Sequence, residues 1–204
     1  MSAAEGLGEL PVYSAEEIQQ ERGDAARNRA LLLEAARRLV AERGADAVTM
    51  DDVAAAAGVG KGTLFRRFGS RAGLMMVLLD EDERASQQAF LFGPPPLGPD
   101  APPVERLVAF GRERIRFVHT HRELLSAANR DPDLRYGPPA TVLRTHVRVL
   151  LASARTTGNV GIQTDALLAL LDPDYVEHRL TDAGDTLDTL GDAWEGLARK
   201  LCGR

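Results

Sequence analysis

The chain has 204 residues, 44% hydrophobic and 27% charged, which is ordinary globular composition with enough apolar material for a substantial core. No apolar run approaches the roughly 18–20 residues of a membrane span, the acidic N-terminus does not resemble a signal peptide, and the lone Cys202 cannot form an internal disulfide. These features exclude a membrane-spanning or disulfide-framework protein and fit a reducing cytoplasm. The net charge of −5 is unevenly divided. One Arg faces six acids over residues 1–26, nine Lys/Arg face five acids over 27–71, and fifteen face nineteen over 72–204. Net positive charge is therefore concentrated in one segment, the footprint of a nucleic-acid contact made through one end of the molecule.

Residues 1–26 mix Gly, Ser and Glu around Pro11 without sustained periodicity and read as a flexible acidic arm. Ser14 and Glu17 make a capping-box pair that would hold a helical turn over residues 14–20. From 27 to 43 the pattern is strongly helical, with Leu32, Ala35, Ala36, Leu39 and Val40 on one face and Gly44 just past the end.

The stretch from Thr49 to Arg71, TMDDVAAAAGVGKGTLFRRFGSR, carries the most information. Thr49 is a hydroxyl N-cap with Asp52 three residues on. A short helix with Val53, Ala54 and Ala57 inward stops at Gly58, where a left-handed residue is cheapest. A second short helix opens at Gly60 or Lys61, buries Leu64 and Phe68, and leaves Lys61, Thr63, Arg66 and Arg67 elsewhere on its surface. Helix, tight Gly turn and helix with a basic free side describe a helix-turn-helix whose second helix can enter a DNA major groove. Ser70 caps a fourth helix that runs to about residue 88, and its apolar start, with Leu74, Met75, Val77 and Leu78, requires burial.

The segment VTMDDVAAAAGVGKGTLFRRFGSRAGL, behind a basic-ended first helix, resembles the DNA-binding domain of the tetracycline-repressor (TetR) family of bacterial regulators over about residues 27–80. The resemblance implies a homodimeric, all-helical repressor that leaves a pseudo-palindromic operator in double-stranded DNA when a small-molecule effector enters its C-terminal domain. It implies that Lys61, Gly62 and Thr63 open the recognition helix, that Phe65, Arg66 and Arg67 face DNA, and that Thr49 and Arg71 hold phosphates. Arg27, with Arg29, is placed to meet the backbone from the first helix. Phe65 stands where the family often has Tyr, and Gly60 where it often has Ser or Thr. Either Arg66 or Arg67 has the side chain for a bidentate guanine contact.

Residues 90–103, FLFGPPPLGPDAPP, read as a non-helical connector. A helix from Pro103 to about 119 follows, then a short apolar-polar segment over 122–130 and a loop over 131–139. The next helix carries Leu143, Val147, Leu150, Leu151 and Ala154, and Gly158 to Gly161 breaks it. Thr164 would cap the apolar stretch 166–171, Asp172-Pro173 breaks again, and 175–180 makes a short helix. The last helix, from about 182 or 185 to 201, aligns Leu187, Leu190, Trp194, Leu197 and Leu201. That stripe, paired with Leu167 and Leu171, is either a dimer surface or a buried core helix; the resemblance favours the dimer. For a ligand pocket the candidates are His146, on an apolar helix face, Phe110, Arg114, Phe117 and His121 on another, and Asn129 between them.

No nucleophile elbow, phosphate loop or paired carboxylates appear, and His119 and His121, two apart on a helix, point away from one another. No enzyme, metal site or cofactor is expected. The fold expected is all-α: an acidic arm over 1–26, a three-helix DNA-binding domain over 27–73, and a larger helical ligand-binding and dimerisation domain over 74–204. The competing reading is a helical ligand-binding or interaction protein whose helix-turn-helix has lost DNA binding.

Overall fold

The computed structural model describes residues 15–122, 124, 125 and 138–203, with the side chains of all but 15–22 and 138. Among the described residues the elements are helical throughout: α1 (Ala15–Arg43), α2 (Met50–Ala57), α3 (Lys61–Phe68), α4 (Arg71–Phe92), α5 (Pro103–Thr120), α6 (Pro138–Ser153), α7 (Val160–Ala169), α8 (Pro173–Thr181) and α9 (Leu187–Leu201). Among the described residues no helix is long and apolar enough to cross a membrane.

The first helix corrects the expected arm. α1 begins at Ala15 rather than Arg27, so residues 15–26 are helical, while residues 1–14 lie outside the described residues. The physical reason is propensity. Residues 15–26 are mostly Ala, Glu, Gln and Arg, good formers that extend a helix already nucleated downstream. Gly23 costs about 1 kcal/mol against Ala, too little to stop propagation. Of the predicted face Leu32, Ala35, Ala36 and Leu39 are buried and Val40 is half-buried, Leu33 is buried beside them, and Gly44 turns left-handed at the C-terminus with φ +80°.

The chain divides within α4 into two units, Met1–Leu78 and Leu79–Arg204, a little beyond the expected boundary at 73/74. Buried Leu74, Met75 and Leu78 on the first turns of α4 account for the shift. As expected, Ser70 caps this helix, its Oγ accepting from the Gly73 N–H at 3.1 Å. α4 runs on to Phe92, through residues expected in the connector. Fully buried Phe90 explains the extra turn, since its ring packs edge-on to Phe110 at 5.2 Å and beside the His146 ring at 4.5 Å.

In the second unit α5 starts with Pro103 in its first turn, where the missing N–H costs nothing. Its core is built from Phe90, Leu107, Phe110, Ile115, Val147, Leu150, Leu151, Leu167, Val176 and Trp194. Thr164 is not the cap of α7. The Asn159 side chain caps it by accepting from the Ile162 N–H at 3.1 Å, and the Thr164 hydroxyl donates to the Val160 carbonyl inside the helix. Gly161 is tolerated because it lies in the first turn. Asp172, expected only as part of a break, caps α8, which starts at Pro173 rather than 175, and α9 begins only at Leu187 behind an N-cap at Thr186.

Candidate nucleic-acid interface and ligand cavity

The α2–α3 unit is held at both ends by local chemistry. Thr49 Oγ1 accepts from the Asp52 N–H, and Asp52 Oδ2 accepts from both the Thr49 N–H at 3.1 Å and the Thr49 hydroxyl at 2.6 Å. The Thr49 hydroxyl bond, with its N–H bond second, holds the Asp52 carboxyl below the usual carboxylate range. Gly58 closes α2 at φ +64°, with its N–H on the Ala55 carbonyl and the Val59 N–H on that of Ala54, a Schellman turn. That turn needs Gly, because a side chain is disfavoured at this φ.

α3 opens at Gly60, which offers no side-chain cap, so the first N–H groups of the helix have no hydroxyl partner. Leu64 and Phe68 are buried, while Lys61, Gly62, Phe65, Arg66 and Arg67 are exposed and Thr63 is half-buried. Phe65, 47% exposed, is a large apolar ring on the same outer side as the basic residues. A Cβ at Gly73 would lie 2.1 Å from the Phe68 carbonyl oxygen, so the end of α3 rests on the backbone of α4.

The cations differ in their partners. Lys61 Nζ pairs with Asp51 at 2.5 Å, tying α3 to α2. Arg67 Nη1 donates to the Ala25 carbonyl of α1 at 2.7 Å. Arg71 donates from Nε to the Val48 carbonyl at 2.9 Å and from Nη2 to the Ala45 carbonyl, so its guanidinium braces the α1–α2 loop. Arg66 and Arg27 are exposed.

The expected ligand residues separate into two groups on α5. Phe110 joins Phe90, with the His146 ring 5.1 Å from that of Phe110. His146 is buried and its Nε2 has no hydrogen-bond partner. Burial, and secondarily the charge of Arg106, pushes the His146 imidazole down from 6.5 to about 4. The imidazole is then neutral in the folded chain but charges more readily in the unfolded one. Its contribution to stability is full above about pH 6.5 and is lost as pH falls toward 4. Denaturant titrations should therefore show wild-type stability falling more than that of His146→Phe across this window; parallel pH profiles would contradict a buried neutral histidine.

Arg114, Phe117 and His121 form the second group, with the guanidinium carbon 4.1 Å from the Phe117 ring centre and the His121 ring 4.5 Å from it. Arg114 Nη1 donates to Glu83 Oε2 at 3.0 Å and to Ser86 Oγ at 3.2 Å, and Ser86 donates to Glu113. Burial raises the Glu113 carboxyl above its usual value, against the lowering charge of Arg114. Glu83 and Ser86 were not anticipated, although Leu79, Glu83, Ser86 and Phe90 make a buried i, i+4, i+7, i+11 series that carries the signal. Asn129 lies outside the described residues.

Arg114 also lines a cavity of about 330 Å³ with Val118 of α5, Ala140, Thr141, Leu143 and Arg144 of α6, Asp165, Leu168 and Ala169 of α7, and the Leu171–Pro173 corner. Phe110, Phe117, His121 and His146 do not line it.

The expected dimer stripe is largely interior to its own chain. Leu167 is fully buried, Trp194 is 1% exposed, and Leu171 and Leu190 are each 8% exposed. Leu187, Leu197 and Leu201 are half-buried at its margin. The reason is Gly111, whose missing side chain lets the Trp194 ring lie on the α5 backbone, with Nε1 donating to the Leu107 carbonyl at 2.9 Å. The same spacing suits a core or an interface, and here the core takes it.

Residues 32–76 match the family model described as bacterial regulatory proteins, tetR family. No curated protein sequence matches the chain. Among solved structures, a putative transcriptional regulator from Saccharomonospora viridis in complex with choline is similar at 19% identity, covering 85% of this chain and 95% of that one, with a TM-score of 0.65. A putative TetR-family transcriptional regulator from Rhodococcus sp. is similar at 18% identity, 87% and 99% coverage and a TM-score of 0.60. A TetR/AcrR-family regulator from Thermobifida fusca is similar at 19% identity, 85% and 96% coverage and a TM-score of 0.60. At such identities the structural likeness establishes the fold. The family match falls on the helix-turn-helix itself, so the likeness to bacterial regulatory proteins of the tetR family is carried by residues 32–76.

Proposed function

We propose that the protein is a sequence-specific DNA-binding transcriptional repressor, homodimeric, acting in the cytoplasm and released from its operator by a small molecule. The observation that carries this reading is the outer side of α3, where Lys61, Phe65, Arg66 and Arg67 stand exposed on a helix whose other side is locked by Leu64 and Phe68. The neighbour solved with choline supports a small-molecule site in this fold without identifying the ligand here.

In this reading α3 lies in the major groove. Arg66 makes the bidentate contact to guanine, because Arg67 is engaged by the Ala25 carbonyl and serves to position α3 on α1. Thr63 meets a thymine methyl or a phosphate, and Phe65 gives apolar contact at the groove edge. Lys61, Arg27, Thr49 and the uncapped N–H groups of Lys61 and Gly62 meet phosphate, fixing register without reading sequence. Arg71 sets the loop carrying Thr49 first, and touches phosphate only with what that leaves. A dimer sets two recognition helices about 34–36 Å apart. Half-buried Leu187, Leu197 and Leu201, with Ile162 65% exposed on α7, are apolar groups open to a partner subunit.

Fluorescence anisotropy on the operator and on single-base variants of it tests the assignment. Arg66→Ala should cost about 1–3 kcal/mol on the operator and remove discrimination at one base position per half-site. Arg67→Ala should weaken binding to all sequences alike. The reverse pattern would hand base reading to Arg67.

A further inference from the structure

We infer that the cavity beside Arg114 is a binding site for an amphipathic organic carboxylate. The inference rests on the ligand-released reading above and names the chemical class of the ligand. Arg114 is a cation with 4% of its side chain exposed, on the wall of a cavity of about 330 Å³. One edge of its guanidinium is satisfied, Nη1 donating to Glu83 and Ser86. Its Nε is buried with no hydrogen-bond partner. A buried donor without an acceptor carries a desolvation penalty that a bound acceptor removes. The Nε edge of a guanidinium is a fork that matches the two oxygens of a carboxylate, and the bond to Glu83 can persist while it is filled.

The rest of the wall fits the other end of such a molecule. Val118, Leu143, Leu168 and Leu171 give it an apolar lining. The other charges near it already have partners in the chain: Arg144 pairs with Asp165, and Asp172 caps α8. Arg114 is thus the wall cation with an unfilled donor. The volume is at the small end of ligand pockets, about 300–1,000 Å³, which suits a short alkyl or aryl chain. Glu83 lies on α4, the helix that continues unbroken back to Arg71, so the residue that takes the ligand also holds that helix.

Calorimetry on the full-length protein tests the site with octanoate and 4-phenylbutanoate, and with octan-1-ol and octyltrimethylammonium as neutral and cationic counterparts. At least one carboxylate should bind once per chain and at least ten-fold tighter than octan-1-ol, with the cation not binding. Because Arg114→Gln alone leaves Glu83 unpaired, the paired Glu83→Gln/Arg114→Gln variant is used. It should lose at least ten-fold in carboxylate affinity while keeping its helical circular dichroism. Leu168→Trp, which fills the cavity without touching the ion pair, should block binding too. Failure of both carboxylates to bind at millimolar concentration, equal affinity for the cation, or unchanged affinity in both variants would overturn the site. Calorimetry without DNA keeps this result separate from the regulator reading, which stands or falls on operator binding.

Discussion

Trp194→Ala should destabilise the second unit by about 3–5 kcal/mol, the range for truncating a large buried aromatic residue. The indole is 1% exposed and lies so close to α5 that a Cβ at Gly111 would be 1.8 Å from its ring, and its centroid is 6.4 Å from that of Phe110. Alanine leaves a cavity the size of most of an indole between two helices that cannot both collapse into it. It also removes the donor to the Leu107 carbonyl. Urea denaturation followed by circular dichroism measures the loss, and its dependence on protein concentration separates two accounts. A loss of similar size across a hundred-fold range of concentration assigns Trp194 to the core of its own chain. A loss that vanishes at high concentration would return it to a subunit interface.

Arg114→Leu is the second large effect. It strands Glu83, whose side chain is 10% exposed, without the cation 3.0 Å away. Breaking one side of a buried ion pair costs about 3–5 kcal/mol, chiefly because the remaining charge stays desolvated. The double variant Glu83→Leu/Arg114→Leu removes both charges and should recover most of the loss in the same denaturation experiment. If the single variant is as stable as wild type, the pair is solvated and contributes little. If the double variant is no better than the single, the cost comes from lost packing of the Arg114 stem on Phe117 rather than from charge.

The DNA-binding unit was legible in the sequence because its determinants are local. The Thr49–Asp52 capping box, the left-handed Gly58 and the Leu64–Phe68 spacing each act within four residues, and each appears in the structure as expected. Residues 15–26 were less legible because no hydrophobic stripe marks them; propagation from residues 27–43 makes them helical. The α9 stripe reads from sequence as a dimer surface with a buried core helix as the alternative, because burial in one's own core and burial against a partner leave the same periodicity. What separates them is Gly111, 83 residues before Trp194 in the chain and invisible to any pattern within α9. The cavity was out of reach for the same reason: its wall is drawn from α5, α6, α7 and the α7–α8 corner, and among the described residues only Arg114 of the ligand candidates named from sequence lines it. Arg67 is held by a backbone carbonyl and Arg71 by two, beside a looser pairing with Asp46, and sequence cannot display carbonyl partners.

The most direct test of the regulator account is selection of bound sequences from a random duplex pool, followed by a salt titration on the selected duplex. The account predicts a palindromic winner with half-sites about one helical turn apart and an affinity that falls steeply with salt, as released counterions require. A folded protein that enriches no sequence at moderate salt, in ligand-free preparations, would contradict it and leave the exposed basic side of α3 without a function in DNA recognition.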